Sequence, residues 1–246
     1  MVGNTFTILD EVDSSNNYAI AQAVNGLATH GAAFFARHQT AGKGQRGRIW
    51  NDEADKNIAL SVLLDMAVIQ VQQPFTLIAA VALAVFDLIS KYALDETKIK
   101  WANDIYWRDR KAVGILIENR FSGQKWQWAV AGIGVNVNQT QFEEALQKKA
   151  VSLKQITGKD FDCITLAKEL CGFLEQRLAQ SDKEGAECIL RSYNDHLYKK
   201  DQSVRVKYRD DIYEVIVRQA DENGNLWIDN GPKPFFTFGE IEWIIE

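Results

Sequence analysis

The sequence has few of the residues that metal sites and disulfide frameworks require. Its 246 residues include only three cysteines, which are widely spaced and form no CxxC pattern: Cys163, Cys171 and Cys188. The three histidines, His30, His38 and His196, share no ligand spacing, and we assign them no role. We expect the cysteines to be free and mostly buried thiols in a reducing compartment, so the cytoplasm is the expected location.

The chain also lacks a positive net charge and a long hydrophobic run. Its net charge of −5 argues against a general nucleic-acid binder, which needs a basic surface. The longest apolar run, Leu77–Phe86, is ten residues long, which is too short to span a bilayer and predicts a buried helix. The first sixteen residues have neither a basic nor an apolar region, so we expect no secretory signal.

The hydrophobic content of 46% and charged content of 25% are ordinary for a globular protein. Periodicity and turn residues predict helices that end near Gly26 and cover Phe75–Tyr92, Thr165–Gln180 and Gly185–Lys199. They predict strands over Ala32–Gln39 and Asn57–Leu64, a meander over Lys98–Asn138, and strands over Val204–Tyr208 and Ile212–Val217. We therefore expect an α/β or α+β body at 1–200, followed by a small β-barrel at 201–246.

The segment TAGKGQRGRIW, Thr40–Trp50, is strongly cationic within an acidic chain. It alternates three glycines with three cations: Gly42, Lys43, Gly44, Arg46, Gly47 and Arg48. Glycines let backbone N–H groups approach an anion closely, and arginine offers a planar fork to phosphate or carboxylate. The order fits neither a Walker A motif nor GxGxxG. Composition alone leaves two readings open, an anion site and a mobile, solvated hairpin tip.

The segment KWANDIYWRDRKAVGILIE, Lys100–Glu118, places polar side chains between apolar strands. Asn103 and Asp104 can converge on a metal–phosphate group, although simple turn chemistry also explains them. Lys111 at the start of a strand can stabilise developing negative charge, or it is only an exposed strand-end lysine. Gly114 interrupts the same strand, which often marks the close approach of a ligand or another backbone.

Two further segments carry polar residues at unusual positions. In GIGVNVN, Gly132–Asn138, asparagine is unfavourable inside a strand, so Asn136 is expected to have a specific partner. The glycines of this segment also fit a purely structural role in a twisted strand. In DSSN, Asp13–Asn16, the polar run is at least a helix N-cap.

These four segments, in this order along residues 8 to 140, resemble the biotin protein ligases, or biotin–[acetyl-CoA-carboxylase] ligases. The family pattern is roughly DSTN, Q-x-x-GRGRRGR-x-W, KWPND…K-x-x-GIL-x-E and G-x-G-x-N. The resemblance implies an α+β fold, with a mixed-sheet, class II synthetase-like catalytic domain flanked by helices and a small C-terminal SH3-like β-barrel. It also implies that biotin is activated with ATP to biotinyl-5′-AMP and transferred to a lysine of a carrier protein.

The resemblance implies a role for each matching residue. Lys111 and Arg48 would be catalytic. Biotin would be bound by Ser14, Ser15, Asn16, Gln39, Gly42, Lys43, Gly44, Gln45, Lys111, Gly114, Leu116 and Gly132. ATP or the adenylate would be bound by Gln45, Arg46, Arg48, Trp50, Asn103 and Asn136. Asp104 and Asn136 would hold Mg²⁺ through ATP.

The sequence departs from the family pattern at a few positions. Lys43 and Gln45 stand where the fullest pattern has arginines, and Gln45 removes a charge that would help to retain the adenylate. Ala102 replaces the proline of KWPND. Because DSSN begins by residue 13, we expect no N-terminal winged-helix domain and no repressor function. We also expect the Gly42–Trp50 segment to be poorly ordered without ligand.

The resemblance implies biotin, ATP and the biotin carboxyl carrier domain of a carboxylase as partners, with neither DNA nor a membrane, and it leaves a homodimer open. A lipoate or octanoate ligase or transferase of the same fold is one alternative. A non-catalytic regulator that holds an adenylate as an effector is another.

Overall fold

Two β-sheets organise the chain. The computed structural model describes residues 1–51, 53–93 and 96–245, and within them one sheet has seven strands and the other five. The strands are β1 (Phe6–Leu9), β2 (Ala33–Ala36), β3 (Ile58–Asp65), β4 (Thr97–Lys100), β5 (Asp104–Trp107), β6 (Arg110–Ser122), β7 (Lys125–Val135), β8 (Ser203–Tyr208), β9 (Asp211–Ala220), β10 (Leu226–Asp229), β11 (Phe235–Phe236) and β12 (Ile241–Ile244). The α-helices are α1 (Ser15–Val24), α2 (Pro74–Ala93), α3 (Leu153–Thr157), α4 (Cys163–Glu184) and α5 (Ala186–Asp195).

The seven-stranded sheet is mixed. Its strand order is β1-β2-β3-β7-β6-β5-β4, in which β1 and β2 are parallel and the other neighbours are antiparallel. The strands β4 to β7 follow one another through short turns, as antiparallel neighbours can. The predicted meander over Lys98–Asn138 is therefore confirmed.

Helix α2 forms the centre of the core. It is predominantly apolar, which is typical of a helix largely surrounded by protein, and Leu77, Leu83 and Leu88 are completely buried. By length and composition alone α2 could cross a membrane, but most of it is buried among α4, α5 and the first sheet. The prediction of a buried helix over Phe75–Tyr92 is confirmed.

The two faces of the first sheet have different roles. On β3, Leu60 and Val62 belong to the core that contains α2, whereas Leu63 packs with Ala19 of α1 in a separate cluster. Because successive side chains of a strand point to opposite faces, Ser61 lies on the face away from α2. That second face is where the polar and glycine residues of the motifs meet.

The structure extends several predictions and adds two elements. Helix α4 begins at Cys163, because the side chain of Asp162 accepts a hydrogen bond from the Thr165 N–H at 2.6 Å. Gly185, at φ +85°, separates it from α5. The short β1 and α3 were not predicted, although α3 carries a complete capping box between Ser152 and Gln155.

The second sheet is antiparallel throughout, in the order β11-β10-β9-β8-β12. It confirms the predicted C-terminal strands and is consistent with an SH3-like domain. Trp101 Nε1 donates to the carbonyl oxygen of Gly224 at 3.0 Å, which joins the two sheets beside the Asn103 turn. The predicted α+β class is confirmed.

The three cysteines are free, as predicted. Cys163 and Cys171 are buried, and burial raises the pKa of each thiol to about 11. Both therefore stay protonated at neutral pH, so they are poor nucleophiles and poor metal ligands.

Candidate active site

A buried group of polar side chains lies between α1, β3 and the loop after β2. We call Ser15, Asn16, Gln39 and Ser61 the polar nest. Ser15 donates to Gln39 Oε1 from its N–H at 2.9 Å and from its hydroxyl at 3.1 Å. Ser61 Oγ lies 2.8 Å from Ser15 Oγ and 2.6 Å from Asn16 Oδ1. The Ser61 hydroxyl has one proton, so it can donate to only one of these two oxygens at a time. The other oxygen can then accept a hydrogen bond from a ligand N–H.

Glycine at position 132 makes room for this nest. A Cβ on Gly132 would lie 2.3 Å from Asn16 Oδ1, which no side chain can accept without displacing Asn16. The Asn16 amide is also fixed from the other side, because its Nδ2 donates to Glu118 Oε2 at 2.8 Å. The strand pair β6–β7 therefore sets the orientation of a side chain that α1 supplies.

The first residues of α1 do more than cap the helix, because they also contact the cationic segment. Ser14 is the N-cap residue of α1 and is buried, but its side chain makes no capping hydrogen bond. Asn17 donates to Asp13, and this hydrogen bond is the main reason why the pKa of Asp13 is lowered. Lys43 donates to Asn17 as well, so the cationic segment reaches over the first turn of α1.

The segment from Gly42 to Trp50, which we call the cationic loop, is a narrow hairpin. The Trp50 N–H donates to the Gly42 carbonyl oxygen at 2.9 Å, and the Gly44 N–H donates to the Arg48 carbonyl oxygen at 2.8 Å. A Cβ on Gly42 would lie 2.3 Å from the Trp50 carbonyl oxygen, so close backbone approach requires glycine there.

Trp50 lies on a platform of two glycines. A Cβ on Gly134 would lie 2.4 Å from Trp50 Cε2, and a Cβ on Gly114 would lie 3.0 Å from Trp50 Cζ3. Gly114 and Gly134 are direct neighbours on β6 and β7. Within the described residues, the buried Trp50 Nε1 has no hydrogen-bond partner, which leaves a donor for a ligand acceptor.

Lys111 lies beside this platform and is ion-paired. Its Nζ is 2.8 Å from Asp104 Oδ1 and 5.9 Å from the centre of a Trp50 ring. Its backbone is held on both sides, since the Lys111 N–H donates to Lys149 at 2.7 Å and its carbonyl accepts from Val151 at 2.9 Å. A fixed ammonium group therefore faces the space beside the indole.

Two side-chain amides, one from the cationic loop and one from the Asn103 turn, donate to the same carbonyl group of β6. Gln45 Nε2 donates to the Ile115 carbonyl oxygen at 3.3 Å, and Asn103 Nδ2 donates to the same oxygen. The cationic loop and the Asn103 turn therefore meet at β6, between Gly114 and Leu116.

The arginines of the loop go to different places. Arg46, at φ +56°, donates to the carbonyl oxygens of Gly239 at 2.6 Å and Phe238 at 2.8 Å, in the turn between β11 and β12. Its guanidinium also lies 5.3 Å from the centre of the Phe238 ring. Arg48 is exposed, and none of the described carboxylates forms an ion pair with it. Arg48 is therefore available to an anion, whereas Arg46 holds the loop to the second sheet.

Asn136 lies one residue beyond the end of β7, whereas the sequence suggested a position inside a strand, but it has the specific partners that were expected. Its Nδ2 lies 3.4 Å from the carbonyl oxygen of Lys111 and 3.3 Å from that of Val151. The side chain thus supports the strand that presents Lys111.

The cationic loop and the middle of β6 line a cleft of about 610 Å³. Its lining includes Gly42, Lys43, Arg48, Leu116 and Glu118. This volume is within the range of small-molecule sites. No group of three or more histidine, cysteine, aspartate or glutamate side chains suited to a metal occurs in the described ranges.

Sequence reasoning missed two residues of the site. Ser61 is a lone hydroxyl in the apolar strand NIALSVLL, and this polarity was the signal that could have found it. Glu118 is the last residue of the motif GILIE, and the sequence pattern predicted no role for it. It accepts from Asn16 and lies 4.0 Å from Lys43 Nζ, so it connects the polar nest with the cationic loop.

Comparison with known proteins shows the family of this chain. Residues 11–136, slightly more than half of the chain, match the family model of the biotin/lipoate A/B protein ligase family. The chain belongs to this family. It is similar to a bifunctional ligase/repressor BirA of Bacillus spizizenii, with 34% identity over 69% of this chain and 53% of the relative. It is also similar to a biotin–[acetyl-CoA-carboxylase] ligase of Mycobacterium tuberculosis, with 31% identity over 91% of this chain and 83% of the relative.

Solved structures of family members share the fold. The biotin protein ligase from Aquifex aeolicus in complex with biotin and ATP superimposes with a TM-score of 0.78 at 22% identity, covering 99% of this chain and 96% of that one. The biotin protein ligase from Leishmania major with biotinyl-5-AMP gives 0.66 at 20% identity, covering 98% of each chain. This family member spans about half the length of the bifunctional ligase/repressor relatives that it matches.

Proposed function

We propose that this chain is a biotin–protein ligase. It would activate biotin with ATP to biotinyl-5′-AMP and transfer the biotinyl group to a lysine of a biotin carboxyl carrier domain. Family membership supports ligase chemistry, and the polar nest supports biotin as the acid. A ureido ring brings N–H donors, which match the acceptor capacity left on Ser15, Asn16 and Ser61.

The nest is the observation that separates biotin from lipoate and octanoate. The dithiolane ring and the alkyl chain of those acids offer no hydrogen bonds, so they would leave buried Asn16 and Ser61 groups unpaired with the ligand. A site built to hydrogen-bond a substrate rejects an analogue that lacks the matching groups. We therefore assign Ser14, Ser15, Asn16, Gln39 and Gly132 to the biotin ring.

The remaining biotin contacts belong to the cationic loop and β6. In this assignment Lys43 and Gln45 cover the biotin and its adenylate, with Gly42 and Gly44 providing close backbone approach. Gly114 and Leu116 form the wall of the pocket, and Glu118 orients Asn16.

The first step joins two anions. An oxygen of the biotin carboxylate attacks the α-phosphorus of ATP, and the bond from that phosphorus to the α,β-bridging oxygen breaks, so that this oxygen leaves with pyrophosphate. Lys111 and Arg48 supply positive charge to the carboxylate and the α-phosphate, because Lys111 is fixed by Asp104 and Arg48 is unpaired within the described chain. Trp50, with Asn103 and Asn136 nearby, receives the nucleotide, and the loop shields the anhydride from water.

The second step uses the mixed anhydride. The deprotonated amine of the carrier lysine attacks the biotinyl carbonyl carbon, the bond from that carbon to the phosphate oxygen breaks, and AMP leaves. Lys111 and Arg48 also neutralise the charge that develops on the departing AMP phosphate.

Magnesium would enter with ATP. Asp104 is the one carboxylate beside Lys111 in the described part of the site, and Mg²⁺ in nucleotide sites is commonly held by phosphates with one or two carboxylates. Asp104, with the Asn136 amide, therefore fits a supporting role, and the metal would neutralise phosphate charge. We also propose a cytoplasmic location, because the carrier proteins and reduced thiols fit that compartment. The chain would divide near residue 200 into a catalytic part and an SH3-like part.

A direct assay tests this function. The protein is incubated with ATP, Mg²⁺, a biotin carboxyl carrier domain and one acid at a time: biotin, lipoate or octanoate. The proposal requires a covalent mass gain of one biotinyl group, with AMP released in equal amount. A gain of equal rate with lipoate, or binding of biotin and ATP without AMP release, would refute it and favour the lipoate ligase or the regulator.

A further inference from the structure

One row of residues crosses the first sheet through the candidate site. In register, Lys100 of β4 pairs with Asp104 of β5, Asp104 pairs with Gly114 of β6, and Gly114 pairs with Gly134 of β7. Directly opposed residues on neighbouring antiparallel strands project to the same face. Trp50 covers the glycine end of this row, so the side chain of Lys100 belongs to the same face, beyond Asp104.

Lys100 differs from Lys111 in what holds its ammonium group. The Nζ of Lys100 lies 4.9 Å from the ring centre of Tyr106 and 5.5 Å from that of Trp243, which comes from β12 of the second sheet. Lys111 has Asp104 at 2.8 Å. In the described parts of the chain, no carboxylate lies within ion-pair distance of Lys100, and its nearest stabilising groups are two aromatic faces.

Lys100 and the charged groups around it carry an excess of positive charge, which a bound polyphosphate would neutralise. The pKa of Lys100 is lowered to about 8, mainly by burial, and the nearby positive charges of Lys111 and Arg48 act in the same direction. The carboxylates of Asp104 and Glu242 act in the opposite direction and do not compensate. An anion arriving here would pair with an ammonium group that the fold leaves without a counter-ion.

We infer that Lys100 binds the β- and γ-phosphates of ATP and the pyrophosphate that leaves during adenylate formation. This inference rests on the proposed ligase function. When the bond between the α-phosphorus and the bridging oxygen breaks, its electron pair stays on pyrophosphate, and the Lys100 N–H donates to the new oxyanion. Lys111 and Arg48 serve the α-phosphate, whereas Lys100, on a strand two places further from Trp50 than that of Lys111, serves the leaving group.

The two half-reactions give a test that separates this role from a structural one. Biotin-dependent exchange of labelled pyrophosphate into ATP is measured for the wild type, Lys100→Met, Lys100→Arg and the control Lys98→Met. Methionine keeps an unbranched side chain between the two rings while it removes the charge. Lys98 lies two residues earlier on β4 and pairs with Tyr106 instead of Asp104, so its variant carries the same chemical change away from the row.

For Lys100→Met we expect KM for pyrophosphate to rise roughly ten- to a hundredfold, as for loss of one charge-assisted phosphate contact. Transfer from preformed biotinyl-5′-AMP to a carrier domain, which involves no pyrophosphate, should stay within about twofold of the wild type. Lys100→Arg should recover most of the loss, because it keeps the charge, and Lys98→Met should behave as the wild type.

The possible failures are distinguishable. An unchanged KM for pyrophosphate in Lys100→Met, or equal losses in both half-reactions together with a lower Tm, would overturn the role of Lys100 and leave the ligase intact. If the wild type shows no biotin-dependent exchange at all, the proposed function itself fails.

Discussion

The polar nest and the cationic loop border the same site but are built in opposite ways. Members of the nest are buried or half-buried and hydrogen-bond to one another from two elements and a connecting loop. The loop is largely exposed. Its Arg46 binds carbonyl groups beside the second sheet, and its Arg48 forms no ion pair with a described carboxylate. A buried neutral ring needs fixed partners, because an unmade hydrogen bond costs free energy, whereas a charged phosphate is attracted even by mobile cations.

The difference also indicates that the polar nest binds the ligand whereas the cationic loop closes over it. The nest is built from α1, β3 and the loop after β2, and its side chains are hydrogen-bonded to one another. The loop crosses the cleft on a hairpin with glycines at both ends, which is suited to movement. Disorder of Gly42–Trp50 without ligand remains a prediction, and hydrogen exchange of this segment with and without biotin and ATP would measure it.

The largest expected effect is at Lys111, where the two regions meet. Lys111→Ala should lower biotin-dependent ATP–pyrophosphate exchange by roughly a thousandfold, because a fixed positive charge beside the reacting anions is lost. The Tm should change little, since the residue is only partly buried and its backbone is held by Lys149 and Val151. Lys125→Ala, at the exposed far end of the β6–β7 hairpin, is the control. Near-normal exchange in Lys111→Ala would contradict its assignment.

A matched pair on β7 tests whether the two regions serve different substrates. Gly132→Ala places a methyl group against Asn16, and Gly134→Ala places one against Trp50. We expect the first to raise KM for biotin and the second to raise KM for ATP, each by about a hundredfold, because binding by the displaced side chain is worth a few kcal/mol. Each variant is the control for the other, and identical effects on both substrates would show that the site does not divide in this way.

Removal of one hydroxyl group tests the rigidity of the nest. Ser61→Ala leaves Ser15 and Asn16 without their shared donor, which should raise KM for biotin about tenfold and lower the free energy of unfolding by about 1–3 kcal/mol. Calorimetry and steady-state kinetics measure the two effects. Ser90→Ala is the control, because the buried Ser90 Oγ has no partner among the described residues and its loss should be neutral or stabilising. Equal behaviour of the two variants would argue against a nest.

The smallest effects are expected for the two arginines of the loop. Arg46→Ala removes two hydrogen bonds to the β11–β12 turn and should lower the free energy of unfolding by about 1 kcal/mol. Arg48→Ala should leave the Tm unchanged and release biotinyl-5′-AMP several times faster, as measured by trapping the released adenylate. A Tm loss in Arg48→Ala as large as its loss of retention would indicate a structural role instead.

Much of the fold was predictable because its signals are local. The period of α2, the strands on either side of the cationic loop and the meander after Lys98 depend on residues close together in the chain. The elements that were missed, β1 and α3, have four and five residues, which is too few for a periodic pattern. Neither was distinguishable from a loop by pattern alone.

The site was predictable only in part. Asn16, Gln39, Trp50 and Lys111 belong to motifs whose order along the chain indicated the family. Ser61 escaped because its role depends on which residue of α1 lies opposite β3.

The sequence by itself determined the main helices, the free state of the cysteines and the position of a cationic loop, because composition and short-range order encode these properties, and the order of its motifs indicated the α+β class through the family resemblance. Only the tertiary structure decided that Arg46, at the edge of the cleft, donates to the carbonyl groups of Phe238 and Gly239, almost two hundred residues away. It also decided that Lys100, Asp104 and two glycines form one row. Strand register and the docking of two sheets fix such neighbours, and both depend on packing between distant segments.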